Sequence, residues 1–190
     1  MQRIVLAPPL KGRWKVMNPP GHPRLAFDLH AVDSMGAPYP LWALALHVLA
    51  ILPMRWCYSW SEPVYAPLGG KVIACGEGSA DRTRGNLFLD LLRLSLLPPP
   101  PASPFERFGG NHVIIESDGL FVLLAHLRKG SLNVKVGDLV RVGDEIGQVG
   151  NSGASIQPHL HVQVMSSPEL FPLFANLVPF EFIVKGRLNA

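Results

Sequence analysis

Residues 134–164 read VKVGDLVRVGDEIGQVGNSGASIQPHLHVQV, and the fold class can be predicted from this stretch. Short apolar segments alternate with turns rich in Gly, Asp and Asn, which is the pattern of β-strands joined by tight turns. The pieces VKVGD and VRVGD repeat one strand–turn phrase, as is typical of small β-barrels built from hairpins. The stretch therefore predicts a series of short strands that ends in HLHVQV.

The last of these strands carries His159 and His161, which are separated by one residue. Because residues i and i+2 of a strand share a face, both imidazoles should project from one side, while Leu160 and Val162 point into a core. One interpretation is the exposed polar face of a half-buried strand. The other is a metal site, since two imidazoles and a carboxylate form a common catalytic zinc site with an open position for water.

Further strands are predicted along the rest of the chain. Residues 13–33 suggest two strands around the turn NPPGHP, and residues 63–78 suggest a hairpin with a Gly-Gly turn. From residue 109 onward, GGNHVIIES and GLFVLLAHL add two more strands. The predicted fold class is mainly β, an antiparallel β-sheet or barrel-sandwich hybrid, with one or two short inserted helices.

Two insertions interrupt the β pattern. Residues 40–60 are densely apolar and predict one short helix that stops near Pro53, and residues 83–104 predict a helix over 87–97 followed by a proline run that ends it. We expect these insertions to form walls of a groove, to contact a membrane or another protein, or to pack as extra core. The whole chain, residues 1–190, is expected to form a single domain.

The composition excludes some classes of function. Charged residues make up 16% of the chain, against a usual share of about 25%, so part of the surface is not simply solvated. The net charge of +3 is dispersed and aromatic residues are only 8%, which gives little support to nucleic-acid binding. Cys57 and Cys75 form no CxxC pair, so a cysteine zinc site is not favoured. No signal peptide or membrane-spanning run is visible.

Other predicted strands supply candidate partners for the two histidines. Asp28 and His30 are two residues apart and could share a face, and His22 precedes Asp28 by six residues. His126 ends the apolar strand LFVLLAH as its only ionisable residue, where a lone histidine is most often a core or strand-end residue. His47 lies in the first apolar insertion and is interpreted as a packing residue.

Taken together, the segments GNHVIIES, VLLAHL, VKVGDLVRVGDEIGQVGNSG and PHLHVQV resemble the LytM/lysostaphin-type zinc metallopeptidases, whose fold is the duplicated hybrid motif. The resemblance is close over residues 109–165 and looser over residues 13–39 and 61–80. It implies that His161 is a zinc ligand and that His126 and His159 are the two catalytic histidines.

The first motif of this family is HxxxD, in which both the His and the Asp bind zinc. The phrase AFDL matches its Asp half, so the resemblance implies that Asp28 is a ligand. The position four residues earlier is Arg24, which departs from the pattern. His22 is the best substitute, because a turn that contains Pro23 could bulge and still deliver its ring, and His30 is the reserve ligand.

The resemblance implies a Zn²⁺-dependent endopeptidase that hydrolyses stem or cross-bridge peptides of bacterial peptidoglycan, in the cell envelope or outside the cell. If neither His22 nor His30 binds zinc, the alternative is a degenerate, non-catalytic LytM-type domain that binds and regulates a cell-wall hydrolase. A lipoyl or biotinyl carrier domain is disfavoured, because Lys135 lies within a strand phrase and not at a hairpin tip.

Overall fold

A computed structural model describes residues 4–19, 22–49, 51–96, 105–170, 176–184 and 187–189 of the chain. The strands are β1 (Ile4–Leu6), β2 (Trp14–Val16), β3 (Ala26–Ala31), β4 (Leu52–Pro53), β5 (Pro63–Tyr65), β6 (Gly70–Gly76), β7 (Arg84–Gly85), β8 (Asn111–Ser117), β9 (Leu120–Leu127), β10 (Leu139–Val140), β11 (Glu145–Gln148), β12 (Leu160–Met165), β13 (Phe180–Val184) and β14 (Arg187–Asn189). The helices are α1 (Leu41–Leu49), α2 (Leu87–Leu96) and α3 (Glu106–Gly109), with a short 3₁₀ turn at Met54–Trp56.

The largest sheet has seven strands in the order β10-β6-β8-β9-β12-β3-β2, and every neighbouring pair in it is antiparallel. Smaller sheets join β1 to β13 and β14, β5 to β11, and β4 to β7. The prediction of a mainly β, antiparallel fold with a few short helices is confirmed. In the described part of the chain the large sheet stays open, with β10 and β2 at its edges, and does not close into a barrel.

The centre of the large sheet is the hairpin of β8 and β9. Asp118 and Gly119 connect the two strands with φ values of 50° and 77°, and two positive φ values give a two-residue turn the twist that suits a hairpin. Both faces of this hairpin are buried, which explains why its strands are continuous apolar runs and do not alternate. Val113, Ile115, Val122 and Leu124 pack in one core cluster, and Ile114, Leu123 and Ala125 pack in another.

The hairpin predicted over residues 63–78 is wrong. β5 pairs with β11, and β6 pairs with β8 and β10, because the chain between them crosses from one sheet to another. Ala66 anchors this crossing, since its N–H donates to the Asp144 carbonyl at 2.8 Å and its carbonyl accepts from Gly143 at 2.9 Å. Gly70 is required for close strand packing, because a Cβ there would overlap the Glu116 carbonyl.

Both insertions contain the predicted helices. In the first, α1 ends four residues before Pro53, and in the second, α2 ends within one residue of the predicted boundary. The two helices contact each other, and the short β4–β7 pair ties their flanks together. The proline run after α2 lies outside the described residues. None of the helices that the structure describes is long and apolar enough to cross a bilayer.

Asn111 ties together the loops at the end of β9. Its Oδ1 accepts from the backbone N–H groups of Gly78 and Ser79 at 2.9 Å each. Its Nδ2 donates to the carbonyls of Ser79 at 2.9 Å and Leu127 at 3.0 Å. The side chain is completely buried, so this amide satisfies four backbone groups next to His126.

We expect Asn111→Asp to lower the free energy of unfolding by at least about 3 kcal/mol, because a buried carboxylate would face two carbonyl oxygens that now accept hydrogen bonds. Denaturant unfolding followed by circular dichroism measures the loss. The same substitution at the exposed Asn133 should cost less than about 1 kcal/mol. Equal losses at the two positions would contradict the role assigned to Asn111.

Candidate metal centre

Three neighbouring strands of the large sheet bring the predicted site residues together. His161 on β12 lies directly across from Asp28 on β3, and on its other side it lies across from Ala125 on β9. His126 follows Ala125, and His159 immediately precedes β12. The register of β3, β12 and β9 therefore places one carboxylate and three imidazoles at one place on the sheet.

His22 reaches the same place through a turn. The His22 N–H donates to the Pro19 carbonyl at 3.0 Å, and the Ala26 N–H donates to the Pro23 carbonyl at 3.3 Å. This folded segment returns the imidazole to β3 despite the six-residue spacing from Asp28, while Arg24 stays exposed. The chain thus supplies a histidine beside Asp28 without the HxxxD spacing.

Three side chains converge closely enough to share one metal ion. His161 Nδ1 lies 2.8 Å and His22 Nε2 lies 3.3 Å from Asp28 Oδ1. The two ring nitrogens are 3.4 Å apart, and the possible ligand atoms of all three residues lie within 4.8 Å of one another. In a tetrahedral site with nitrogen and oxygen ligands at about 2.0–2.2 Å, neighbouring ligand atoms lie about 3.3–3.6 Å apart, so two of the three separations already fit.

His22 and His161 each donate a hydrogen bond from the ring nitrogen that faces away from Asp28. The lone pair of the other ring nitrogen therefore faces Asp28. His22 Nδ1 donates to the Pro23 carbonyl at 3.0 Å, which leaves the Nε2 lone pair on the side of Asp28. His161 Nε2 donates to Gln163 Oε1 at 3.0 Å, which leaves the Nδ1 lone pair facing Asp28. The Gln163 amide is oriented by Met165, because its Nε2 donates to the thioether sulfur. Such outer acceptors are what metal-binding histidines need.

The resulting arrangement fits a cation. Two imidazole lone pairs and an anionic carboxylate oxygen face one another at 2.8–3.4 Å in a buried pocket. Burial by itself would raise the pKa of Asp28, but the nearby charge of His159 holds it well below its usual value. A buried carboxylate that stays ionised among electron-rich atoms is stabilised by a positive charge. The residues present therefore fit a bound metal ion.

His126 and His159 lie beside this cluster and are oriented in the same manner. His126 Nδ1 donates to the Ser152 carbonyl at 2.9 Å, and His159 Nδ1 donates to the Gln157 carbonyl at 2.8 Å. The two ring centroids are 4.6 Å apart. Each ring thus keeps its Nε2 atom available for chemistry, and the Nε2 of His159 is buried 3.4 Å from Asp28 Oδ1.

The two imidazoles differ in their electrostatic environment. Burial, and then the neighbouring His159 and His161, lower the pKa of His126 well below its usual value. Burial also opposes a charge on His159, but the Asp28 carboxylate and the Gln157 carbonyl outweigh it and raise the pKa of His159. The site thus holds one imidazole that favours the neutral form beside one that favours the charged form.

His30 lies next to His159 and outside the group of three. The rings of His30 and His159 stack with centroids 5.0 Å apart and an interplanar angle of 23°. The His30 Nδ1 accepts from Gln157 Nε2 at 3.0 Å. Burial, followed by the charge of His159, lowers the pKa of His30 to about 3. The reserve ligand is therefore placed as a neutral partner of His159.

Sequence reasoning missed the groups that orient the rings. Gln157 contacts His159 through its carbonyl and His30 through its amide, and Ser155 Oγ donates to the same Gln157 carbonyl at 2.7 Å. The i+2 spacing of Gln163 from His161 was the one available signal, since it places both on one face. His47 packs on Tyr39, with 3.1 Å between its Nδ1 and the Tyr39 hydroxyl, as a packing residue would.

The cluster lies in a cleft of about 520 Å³. Among the described residues that line it, Asp28 is the only carboxylate, and none is a lysine or arginine. Apolar side chains form most of the remaining walls. They include Met17, Pro38, Tyr39, Leu91, Phe105 and Ile156. Leu91 belongs to α2, so the second insertion contributes to one wall of the cleft.

Comparison with known proteins finds similarity over part of the chain that includes His126, His159 and His161. Residues 101–171 match the family described as Peptidase family M23. The chain is 46% identical over 61 residues to glycyl-glycine endopeptidase ALE-1 of Staphylococcus capitis, which is 31% of this chain and 16% of that protein. It is 49% identical over 59 residues to lysostaphin of Staphylococcus staphylolyticus, which is 30% of this chain and 12% of that protein.

A solved structure supports the fold over nearly the whole chain. The catalytic domain of a prophage-encoded M23 protein from Enterococcus faecalis superimposes with a TM-score of 0.51 and 18% identity, covering 91% of this chain and 93% of that domain. The matches to curated relatives span less than a fifth of those relatives' own length. Residues 101–171 are thus similar to the peptidase M23 family, and the two relatives agree with the LytM/lysostaphin-type resemblance of the sequence motifs.

His126 has a φ of 62°, a left-handed conformation that is unfavourable for a residue with a Cβ. We therefore expect His126→Gly to be more stable than His126→Ala by about 1 kcal/mol in denaturant unfolding with a chelator present. The same pair of substitutions at Ser117 on β8 should give the opposite order, because glycine weakens an ordinary strand. An alanine variant at position 126 as stable as the glycine variant would show that the left-handed backbone is absent in solution.

Proposed function

We propose that this protein is a zinc-dependent metalloendopeptidase that hydrolyses peptide bonds of bacterial cell-wall peptidoglycan. The observation that carries the proposal is the convergence of the His22 and His161 lone pairs on Asp28, with His126 and His159 beside them. A His₂-carboxylate set is a recurrent catalytic zinc set, which leaves a position for water or substrate. The names of the relatives, glycyl-glycine endopeptidase and lysostaphin, support a peptide substrate from the cell wall.

In this proposal His22, Asp28 and His161 hold the zinc. Bound zinc would polarise the scissile carbonyl and acidify a water molecule. Pro23 and Gln163 keep the two ligand rings in the required tautomers, because each accepts the proton of the ring nitrogen that does not face Asp28.

His126 and His159 are the proposed proton-transfer residues. The pKa of His126 is lowered, so its Nε2 can accept a proton from the attacking water at neutral pH. The pKa of His159 is raised by Asp28, so its Nε2 can donate a hydrogen bond to the developing oxyanion or a proton to the leaving amine. The Ser152 and Gln157 carbonyls hold both Nδ1 protons and keep each Nε2 available.

The cleft supports an uncharged stretch of peptide as the bound segment. Its described walls are mostly apolar and contain no basic side chain that would pair with a substrate carboxylate. An apolar, water-poor wall also strengthens the electrostatic effect of the nearby groups. A peptidoglycan substrate places the protein in the cell envelope or outside the cell.

A non-catalytic LytM-type domain that regulates a cell-wall hydrolase is the second candidate. It is favoured by the departure from HxxxD spacing, since Arg24 occupies the expected histidine position. The 3.3 Å separation between His22 Nε2 and Asp28 Oδ1 supports the peptidase instead, because a complete set of three ligands is available.

We expect His159→Ala to retain about one zinc per chain and to lower the rate of peptidoglycan hydrolysis by about 10²–10⁴-fold. His161→Ala should lose the metal as well as the activity, because only two ligands would be left. Elemental analysis of both variants and of the wild type, combined with release of soluble peptidoglycan fragments, measures the two effects.

Equal loss of zinc in both variants would contradict the division of roles between the two histidines. A wild-type protein that binds zinc but releases no fragments from any peptidoglycan type would favour the regulatory domain. Retention of folding in each variant is checked by its circular dichroism spectrum.

A further inference from the structure

The two inserted helices expose large apolar side chains to solvent. On α1 the most exposed are Leu49 at 83%, Leu41 at 62% and Trp42 at 59%. The side chains that α1 buries are Ala43 and His47, and Leu46 packs against the neighbouring core cluster while partly buried. Most of the large apolar side chains of α1 therefore face solvent and do not pack on this core.

The helix α2 also exposes large apolar side chains to solvent. Phe88, Leu89 and Leu96 on α2 are 66%, 60% and 68% exposed. The helices α1 and α2 contact each other, and we name their exposed apolar side chains together the α1–α2 surface. It comprises Leu41, Trp42, Leu44, Val48, Leu49, Phe88, Leu89, Leu92 and Leu96. Contiguous apolar surface of this kind marks an interaction site.

Positively charged side chains lie at one margin of the α1–α2 surface. Residues 40–54 contain no Asp, Glu, Lys or Arg. The margin is formed by the β4–β7 pair, where Arg84 lies across from Pro53 and Arg55 follows in the next turn. Both arginines are exposed. The single carboxylate of α2, Asp90, is ion-paired with Arg82 and so does not cancel this positive edge.

A tryptophan pair lies on the same side. The Trp42 and Trp56 rings meet edge to face with centroids 4.9 Å apart, and Trp56 directly follows Arg55. Leucine and phenylalanine side chains enter the acyl region of a bilayer, tryptophan prefers the headgroup level, and arginine pairs with lipid phosphates. The α1–α2 surface has these three groups beside one another.

We propose that the α1–α2 surface docks onto a lipid bilayer with anionic headgroups, lying in the interface without crossing the membrane. Anionic lipid complements Arg55 and Arg84, whereas a symmetric contact between two copies of the chain would bring this positive edge near its own copy. Leu91 of α2 lines the cleft, so docking through α2 holds the cleft close to the membrane surface. The proposal is independent of the proposed hydrolytic activity.

The test is sedimentation of the full chain with vesicles of phosphatidylglycerol and phosphatidylcholine at a ratio of about 1:2, and with phosphatidylcholine alone. We expect the wild type to bind the anionic vesicles, with a blue shift of tryptophan fluorescence. The double variant Leu49→Glu/Leu89→Glu should bind at least about tenfold more weakly, because it places two charges in the apolar contact.

The matched control is Leu139→Glu/Val136→Glu, which adds the same charge at side chains that are 81% and 59% exposed on another part of the chain. It should bind within about twofold of the wild type. A third variant, Arg55→Gln/Arg84→Gln, should lose most of the preference for anionic vesicles. Thermal unfolding checks that each variant is folded.

Two results would overturn the proposal. The wild type could fail to bind either vesicle, or the helix variant and its matched control could bind equally. If the first result came with a concentration-dependent dimer, seen by light scattering without vesicles and abolished by Leu49→Glu/Leu89→Glu, the surface would be assigned to a second copy of the chain.

Discussion

The hydrogen-bonded register between β3 and β12 is the constraint on which the site depends. It places His161 directly across from Asp28, and the neighbouring β9 brings His126 alongside. A shift by one residue would turn Asp28 and His161 to opposite faces of the sheet, since side chains alternate along a strand. The buried residues Leu29, Leu160 and Val162 hold the register by filling the core on the other face.

Within this arrangement of strands, hydrogen bonds on the outer side of each ring fix the orientation of the four imidazoles. Backbone carbonyls accept the Nδ1 protons of His22, His126 and His159, and Gln163 accepts the Nε2 proton of His161. Each imidazole therefore has one nitrogen held by an outer acceptor, and its other nitrogen faces the cluster. In His22 and His161 that nitrogen can present a lone pair to Asp28. A carboxylate buried among such lone pairs is costly without a cation, which links the shape of the site to metal binding.

The sequence was most informative where local pattern and environment agree. Alternation predicted that His159 and His161 share a side of the sheet, and the segments GGNHVIIES and GLFVLLAHL predicted the strands β8 and β9. The predicted hairpin over residues 63–78 was wrong, because its two strands belong to different sheets. Pairing between strands that are distant in the chain produces no local sequence pattern. Gln157 was missed for the same reason, since its link to His30 spans 127 positions. His22, and not His30, lies in the group of three because the turn around Pro23 returns its ring to Asp28.

If His22, Asp28 and His161 hold one zinc ion, two variants that each lose a single imidazole should differ in the zinc that they bind. Bound zinc per chain is measured by elemental analysis after reconstitution of the wild type, His22→Ala and His30→Ala, purified side by side. We expect about one zinc in the wild type and in His30→Ala and little in His22→Ala, because a tetrahedral site needs three protein ligands besides water. Zinc retained by His22→Ala and lost from His30→Ala would rule out His22 as the third ligand.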